Sequence, residues 1–87
     1  GRHIALDKLI GASLKSKIAE SDFVITSSRA SYEMVQKIAY VNLKLLIAIS
    51  APTGLAIRMA NNLGITLVGF ARESRYTIYS HNQRIIE

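Results

Sequence analysis

The chain has 87 residues, of which 49% are hydrophobic and 20% charged, a balance that describes one small globular domain rather than a tail, a collagen or a coiled coil. Lys44, Arg58 and Arg72 interrupt every apolar run well short of the roughly 20 residues a membrane helix needs, so no membrane partner is expected. There is no cysteine, which excludes a disulfide framework, a zinc knuckle, an iron–sulfur cluster and a thiol nucleophile in this chain. Lys and Arg exceed Asp and Glu by a formal +5, which favours anionic partners such as nucleotide phosphates, nucleic acid or an acidic protein surface.

The chain opens at Gly1, without a methionine, and enters a helical pattern at once. A fragment or a processed chain is therefore expected. No basic stretch followed by an apolar run and a small-residue cleavage site stands at the start, so no secretory signal is expected either. Ala5, Leu6, Leu9, Ile10, Leu14 and Ile18 recur at three- and four-residue steps and predict an amphipathic helix. Phe23-Val24-Ile25 is too short for a helix and fits a buried strand. Ser27-Ser28-Arg29-Ala30-Ser31 breaks the pattern, and Ser31 is placed to cap a helix with Met34, Val35, Ile38 and Ala39 on one stripe. Asn42 suits a left-handed end to that helix.

Leu45 to Ile49 is a second continuous apolar run. Ser50-Ala51-Pro52-Thr53 follows, with Thr53 as cap of a helix bearing Leu55, Ala56, Met59, Ala60 and Leu63, and with Gly64 at its end. Pro52 reads as a residue of the helix start. A third strand is predicted over Thr66 to Ala71 and a turn at Glu73-Ser74. A fourth strand, Tyr76 to Ser80, pairs with the third as a hairpin. From His81 onward no period is visible.

The predicted order, α-β-α-β-α-β-β, has strands that are apolar throughout and are joined by helices. It reads as one α/β domain over 1–87, a three-layer α/β/α arrangement with a mostly parallel sheet and an antiparallel edge strand. Right-handed crossovers bring the carboxyl ends of the first three strands to one edge, where ligands of open α/β sheets bind. That edge receives Ser27, Ser28 and Arg29 from the first strand and Ser50 to Thr53 from the second. The third delivers Phe70, Ala71 and Arg72, with Arg75 across the turn. Hydroxyls, helix amino termini and guanidinium groups together make a phosphate cradle. Against it stands plain capping, the commoner duty of Ser28, Ser31 and Thr53.

Other constellations are weaker. His3 and Asp7 share a helix face and form a two-ligand metal pair at most, and a contact between them without metal is the simpler reading. Ser28, His3 and Asp7 compose a triad only on paper, for there is no G-x-S-x-G elbow, nor any G-x-G-x-x-G or P-loop. Tyr32, Tyr40, Tyr76 and Tyr79 are scattered rather than set along a basic stripe, so nucleic acid is the less favoured partner. Tyr76 and Tyr79 are expected on opposite faces of one strand.

Four blocks carry a resemblance. Gly1 to Lys8 is similar to G-R-H-N-A-L-D-K, and Ser27 to Lys37 to S-S-R-x-S-Y-E-M-V-Q-K. Ser50 to Thr53 matches S-A-P-T, and Gly69 to Tyr76 resembles G-F-x-R-x-x-R-F. Together, in this order, they resemble the FdhD family, the formate dehydrogenase accessory proteins. The resemblance implies a cytoplasmic sulfur carrier that accepts persulfide sulfur from a cysteine desulfurase. It passes that sulfur to the molybdenum cofactor, in its guanine dinucleotide form, for formate dehydrogenase. It further implies a homodimer, a cytidine-deaminase-like fold, and binding of the cofactor, or of guanosine diphosphate, by the C-terminal portion. The expected contacts are Phe70, Ala71, Arg72, Glu73, Ser74 and Arg75, with Ser27, Ser28, Arg29, Thr53 and His3. No protein-bound metal ion and no catalytic residue are expected here. The family's sulfur-bearing cysteines belong to an upstream C-x-x-C, so sulfur transfer is expected of the intact protein, not of this chain alone. Ile4 stands where the family pattern has Asn, and Glu73-Ser74 lacks the glycine often found in that turn. Without the resemblance, a non-catalytic nucleotide-binding or dimerisation module and a basic nucleic-acid-binding domain remain the other readings.

Overall fold

A computed structural model of the chain describes residues 11, 13–19, 22–72 and 75–86. Strands β1 (Val24–Thr26), β2 (Leu45–Ala48), β3 (Thr66–Gly69) and β4 (Thr77–Ser80) form one sheet in the order β1-β2-β3-β4. The first three are parallel and β4 is antiparallel to β3. Helix α1 (Tyr32–Tyr40) joins β1 to β2, and α2 (Gly54–Leu63) joins β2 to β3. A short 3-10 turn, Asn82–Arg84, follows β4. The α/β expectation holds, with an antiparallel strand at the edge.

Alternation along the strands explains the two-sided core. Leu46, Ala48 and Leu67 pack with Val35, Ile38, Ala56 and Ala60 of the helices. Leu45, Ile47 and Val68 face the other way and pack with Leu14, Phe23, Ile25 and Ile85. Both crossovers advance across the sheet in the same direction, so right-handed connections place α1 and α2 side by side on one face. The opposite face is closed by the segment around Leu14 and Ile18 and by the chain end, which meet in an antiparallel bridge between Ile18 and Ile85. Residues 13–15 are helical, while Ala5, Leu6, Leu9 and Ile10 of the predicted first helix lie outside the described residues.

The helix ends follow the expected chemistry. The Ser31 hydroxyl accepts the Met34 N–H at 3.3 Å, and the Thr53 hydroxyl accepts that of Ala56 at 3.1 Å. At the end of α1, Asn42 takes φ 63° and the N–H groups of Asn42 and Leu43 bond the carbonyls of Ala39 and Ile38. That is the paired pattern of a left-handed cap. Gly64, at φ 73°, closes α2. Some strand ends differ from expectation: β2 stops at Ala48, β3 at Gly69, and β4 begins at Thr77, while Ile49 and Ala71 beyond the first two still donate their N–H groups to the last residues of β1 and β2, Thr26 and Ala48, and Phe70 donates to Ser50. Pro52 is not a helical residue. It is buried before the cap, in a parallel bridge with Ala30.

The segment after β4, without period in the sequence, is organised by polar bonds. Ser80 replaces a backbone pair at a bulge in the β3–β4 register: its hydroxyl donates to Ile65 C=O at 2.8 Å and accepts from Leu67 N–H at 3.1 Å. His81 Nε2 lies 2.8 Å from the Asn61 carbonyl, and because a carbonyl only accepts, Nε2 carries the proton. Arg84 Nη1 donates to Gly64 C=O and Thr66 Oγ1, both at 3.0 Å, and Thr66 Oγ1 donates to His81 C=O. Two basic side chains thus occupy the carboxyl end of α2, where the helix dipole is negative.

Candidate functional site

Because β1, β2 and β3 are parallel, their carboxyl ends open on a single edge. Backbone bonds lace the loops leaving that edge into one surface. Ile49 N–H donates to Thr26 C=O at 2.9 Å, Thr53 N–H to Ala30 C=O at 3.0 Å, Phe70 N–H to Ser50 C=O at 3.2 Å and Ala71 N–H to Ala48 C=O at 3.0 Å. Ser27, Ser28, Arg29, Thr53, Phe70, Ala71 and Arg72 therefore stand on one end of the sheet. Arg75 is tied to it by the 2.7 Å bond from Arg72 N–H to Arg75 C=O. His3, Asp7, Glu73 and Ser74, and with them the paper triad and the His3–Asp7 pair, lie outside the described residues.

The members differ in how they are held. The Arg72 guanidinium is anchored: Nη1 donates to Ile49 C=O at 3.0 Å and to Ala71 C=O at 2.8 Å. A guanidinium has five N–H donors, so this tether fixes the group through Nη1, and among the described residues no hydrogen bond engages Nε or Nη2. Arg29 and Arg75 are exposed and make no ion pair among the described residues. Ser28 corrects the capping expectation: it caps no helix, and its Oγ lies 2.8 Å from Thr26 Oγ1, which also accepts the Ser28 N–H at 3.2 Å. Ser27 and Ser28 both remain exposed. Thr53 does cap, and Ala71 is fully buried, so Ala71 offers backbone groups only.

Apolar surface accompanies the charges. Tyr32 and Leu55, in the first turns of α1 and α2, are 39% and 54% exposed, and Phe70, just past β3, is 51% exposed. Sequence reasoning missed the supports beneath them. Gly69 is wedged against Pro52 and Tyr79, and the carbonyls of Ile49 and Ser50 hold Arg72 and Phe70. The one available signal was a glycine directly before an aromatic at a strand end. Tyr76 and Tyr79 take opposite faces as expected, packing against the two different cores. Among the described residues, one surface hollow is lined by Asn61, Tyr79 and His81, and another runs along α1 from Ser31 past Met34 and Lys37 to Tyr40. Among the described residues no cluster of His, Asp or Glu is arranged to hold a metal ion, and no helix is long and apolar enough to cross a membrane.

Comparison with known proteins adds to this geometry. The profile of the FdhD/NarQ family matches residues 1–86. Sulfur carrier protein FdhD of Xanthomonas campestris pv. campestris (strain B100) is 54% identical over 86 residues, covering 98% of this chain and 31% of the relative. The Bordetella parapertussis protein of the same name is 56% identical over the same span. A crystal structure from Desulfotalea psychrophila, provisionally described as a formate dehydrogenase accessory protein, superposes with a TM-score of 0.69 at 27% identity, covering 71% of this chain and 28% of that one. The chain thus spans about 31% of the length of the curated relatives it matches. With the profile matched from the first residue to the last but one, the chain belongs to the FdhD/NarQ family.

Proposed function

We propose that this chain is the nucleotide-binding portion of a sulfur carrier that serves formate dehydrogenase. In this reading it holds the guanine dinucleotide part of a molybdenum cofactor while that cofactor, the substrate, receives sulfur. The observation that carries the reading is the strand-end edge, where a tethered guanidinium, two exposed ones, two exposed serines and two helix amino termini converge. Such a donor set fits a diphosphate, because it supplies positive charge together with N–H and O–H donors, against which Glu33 in the first turn of α1 is the nearby acidic residue of a helix start.

Arg72 is the fixed phosphate ligand, Arg29 and Arg75 are the adjustable ones, and Ser27 and Ser28 add hydroxyl donors. Phe70, Thr53, Ala71, Glu73, Ser74 and His3 complete the proposed contact set. Because the chain has no cysteine, it binds rather than carries. The persulfide resides on an upstream cysteine-bearing portion, loaded by a cysteine desulfurase in the cytoplasm, and the intact protein works as a homodimer.

Calorimetric titration of the intact protein with guanosine diphosphate and adenosine diphosphate, at two salt concentrations, tests the reading. A preference for guanine that survives added salt is the expected result. Screening weakens the phosphate contribution alone, so equal, weak binding that disappears with salt overturns the proposal and leaves a basic surface without a nucleotide site.

A further inference from the structure

β4 ends the sheet, and among the described residues no strand pairs with its outer side. No loop backbone among them bonds to Tyr76, Thr77, Ile78 or Tyr79 either. The N–H and C=O groups that β4 turns away from β3 are therefore left without a backbone partner. Such a row is a template for a further strand, and proteins usually blunt it with a charged residue, a proline or a covering element. Thr77-Ile78-Tyr79-Ser80 has no charge and no proline, and its bulge falls at the far end, between the Ile78 and Ser80 pairs.

A hollow of about 760 Å³ extends along this strand, lined by Tyr76, all of β4, residues 81–83, and Asn61 from the last turns of α2. Its lining is made of phenol, hydroxyl, amide and imidazole groups, with no Lys, Arg, Asp or Glu. Positive charge stands at one margin instead. Lys17 Nζ lies 5.7 Å from the centre of the Tyr76 ring, and the exposed Arg75 directly precedes Tyr76. The acidic residues among those described, Asp22 and Glu33, belong to the other half of the domain, before β1 and on α1. An uncharged floor with a basic margin fits an extended segment whose paired stretch is neutral and whose flank is acidic. A second copy of this chain, itself at +5, fits less well.

We infer that the outer edge of β4 is a strand-addition site for an extended, acid-flanked segment of a partner protein, held by backbone bonds along Thr77–Ser80. The inference goes beyond the nucleotide-binding reading and does not rest on it. The probe is a synthetic peptide of alternating threonine and valine with aspartates at both ends and blocked termini, titrated into the intact protein. One control is the same peptide N-methylated throughout its central stretch, which removes the backbone donors. The other carries lysines in place of the aspartates.

The expected result is binding of the aspartate peptide with slowed amide exchange in β4, and no binding of the N-methylated one. The lysine-flanked peptide binds more weakly, by a margin that shrinks with added salt. Thr77→Glu, at an exposed position, weakens the aspartate peptide about fivefold and leaves the thermal midpoint unchanged. Failure of the aspartate peptide to bind overturns the inference, as does binding without slowed exchange in β4, equal binding of either control at low salt, or full affinity in Thr77→Glu. So does a β4 already slow to exchange before peptide is added, because another part of the protein or a second copy then holds the edge.

Discussion

Gly69 shows how much of the edge is decided by one hydrogen atom. A methyl group built there meets Tyr79 Cε2 at 2.7 Å and Pro52 Cδ at 2.8 Å. The tyrosine ring has some freedom, but the proline ring is locked to a backbone that bridges Ala30, so the clash has no inexpensive exit. Gly69→Ala is expected to destabilise the domain by about 1–3 kcal/mol, the usual cost of overfilling a packed interior. Urea unfolding reads it directly, as a lower midpoint with an unchanged slope. A variant as stable as the parent would show that the Pro52–Tyr79 wedge yields. This is also the scale at which sequence reasoning reached least far. The positions of Arg72 and Phe70 at the edge were legible, because strand ends are marked by where apolar runs stop. The tether of Arg72 to the Ile49 carbonyl and the positive φ of Phe70, 53°, were not, because they depend on segments that are distant in sequence and meet only in the folded sheet.

Elements were far more legible, and for local reasons. Ser31 and Thr53 were read as caps because each hydroxyl stands just ahead of an apolar stripe. Asn42 and Gly64 were read as ends because each type accepts a left-handed backbone, and the structure bears out all four. Ser28 looks equally like a cap and is not one, since the chain is still leaving β1 there and its hydroxyl pairs with that of Thr26. The cap of α2 joins stability to the site, for Thr53 also donates its N–H to Ala30 and so ties the second strand-end loop to the first. Thr53→Ala keeps that backbone bond and loses only the bond to Ala56, so a cost of about 1 kcal/mol is expected. Thr53→Ser restores most of it. Chemical unfolding of the two variants beside the parent separates the cases: equal losses in both would mean that the threonine methyl, not the hydroxyl, holds the helix start.

At the scale of the whole molecule, the least predictable segment closes the core. The sheet has two apolar faces and only one is roofed by α1 and α2. The other depends on residues near both ends of the described chain. Ala19 N–H bonds Arg84 C=O at 2.8 Å, Ile86 N–H bonds Lys17 C=O at 2.6 Å, and Ile85 joins Leu14 and the strand side chains Ile25, Leu45, Ile47 and Val68 in one core cluster. Arg84 and His81 fasten this segment to the end of α2, so a stretch without periodicity is located by bonds to carbonyls that the helix leaves open. A short chain buries a smaller share of its surface than a large one, and each apolar contact then weighs heavily in its net stability. Ile85 is 5% exposed, and Ile85→Ala is expected to cost about 2–5 kcal/mol, the range for emptying a buried aliphatic site. The closure lies on a face of the sheet rather than at its carboxyl edge. The folded fraction of Ile85→Ala should therefore bind guanosine diphosphate as the parent does, while its midpoint falls by many degrees and recovers as nucleotide is added. Differential scanning with and without nucleotide measures both. A variant that keeps its midpoint would show that the chain end is not a structural closure, and one that stays folded but loses the ligand would tie the sheet face to the edge.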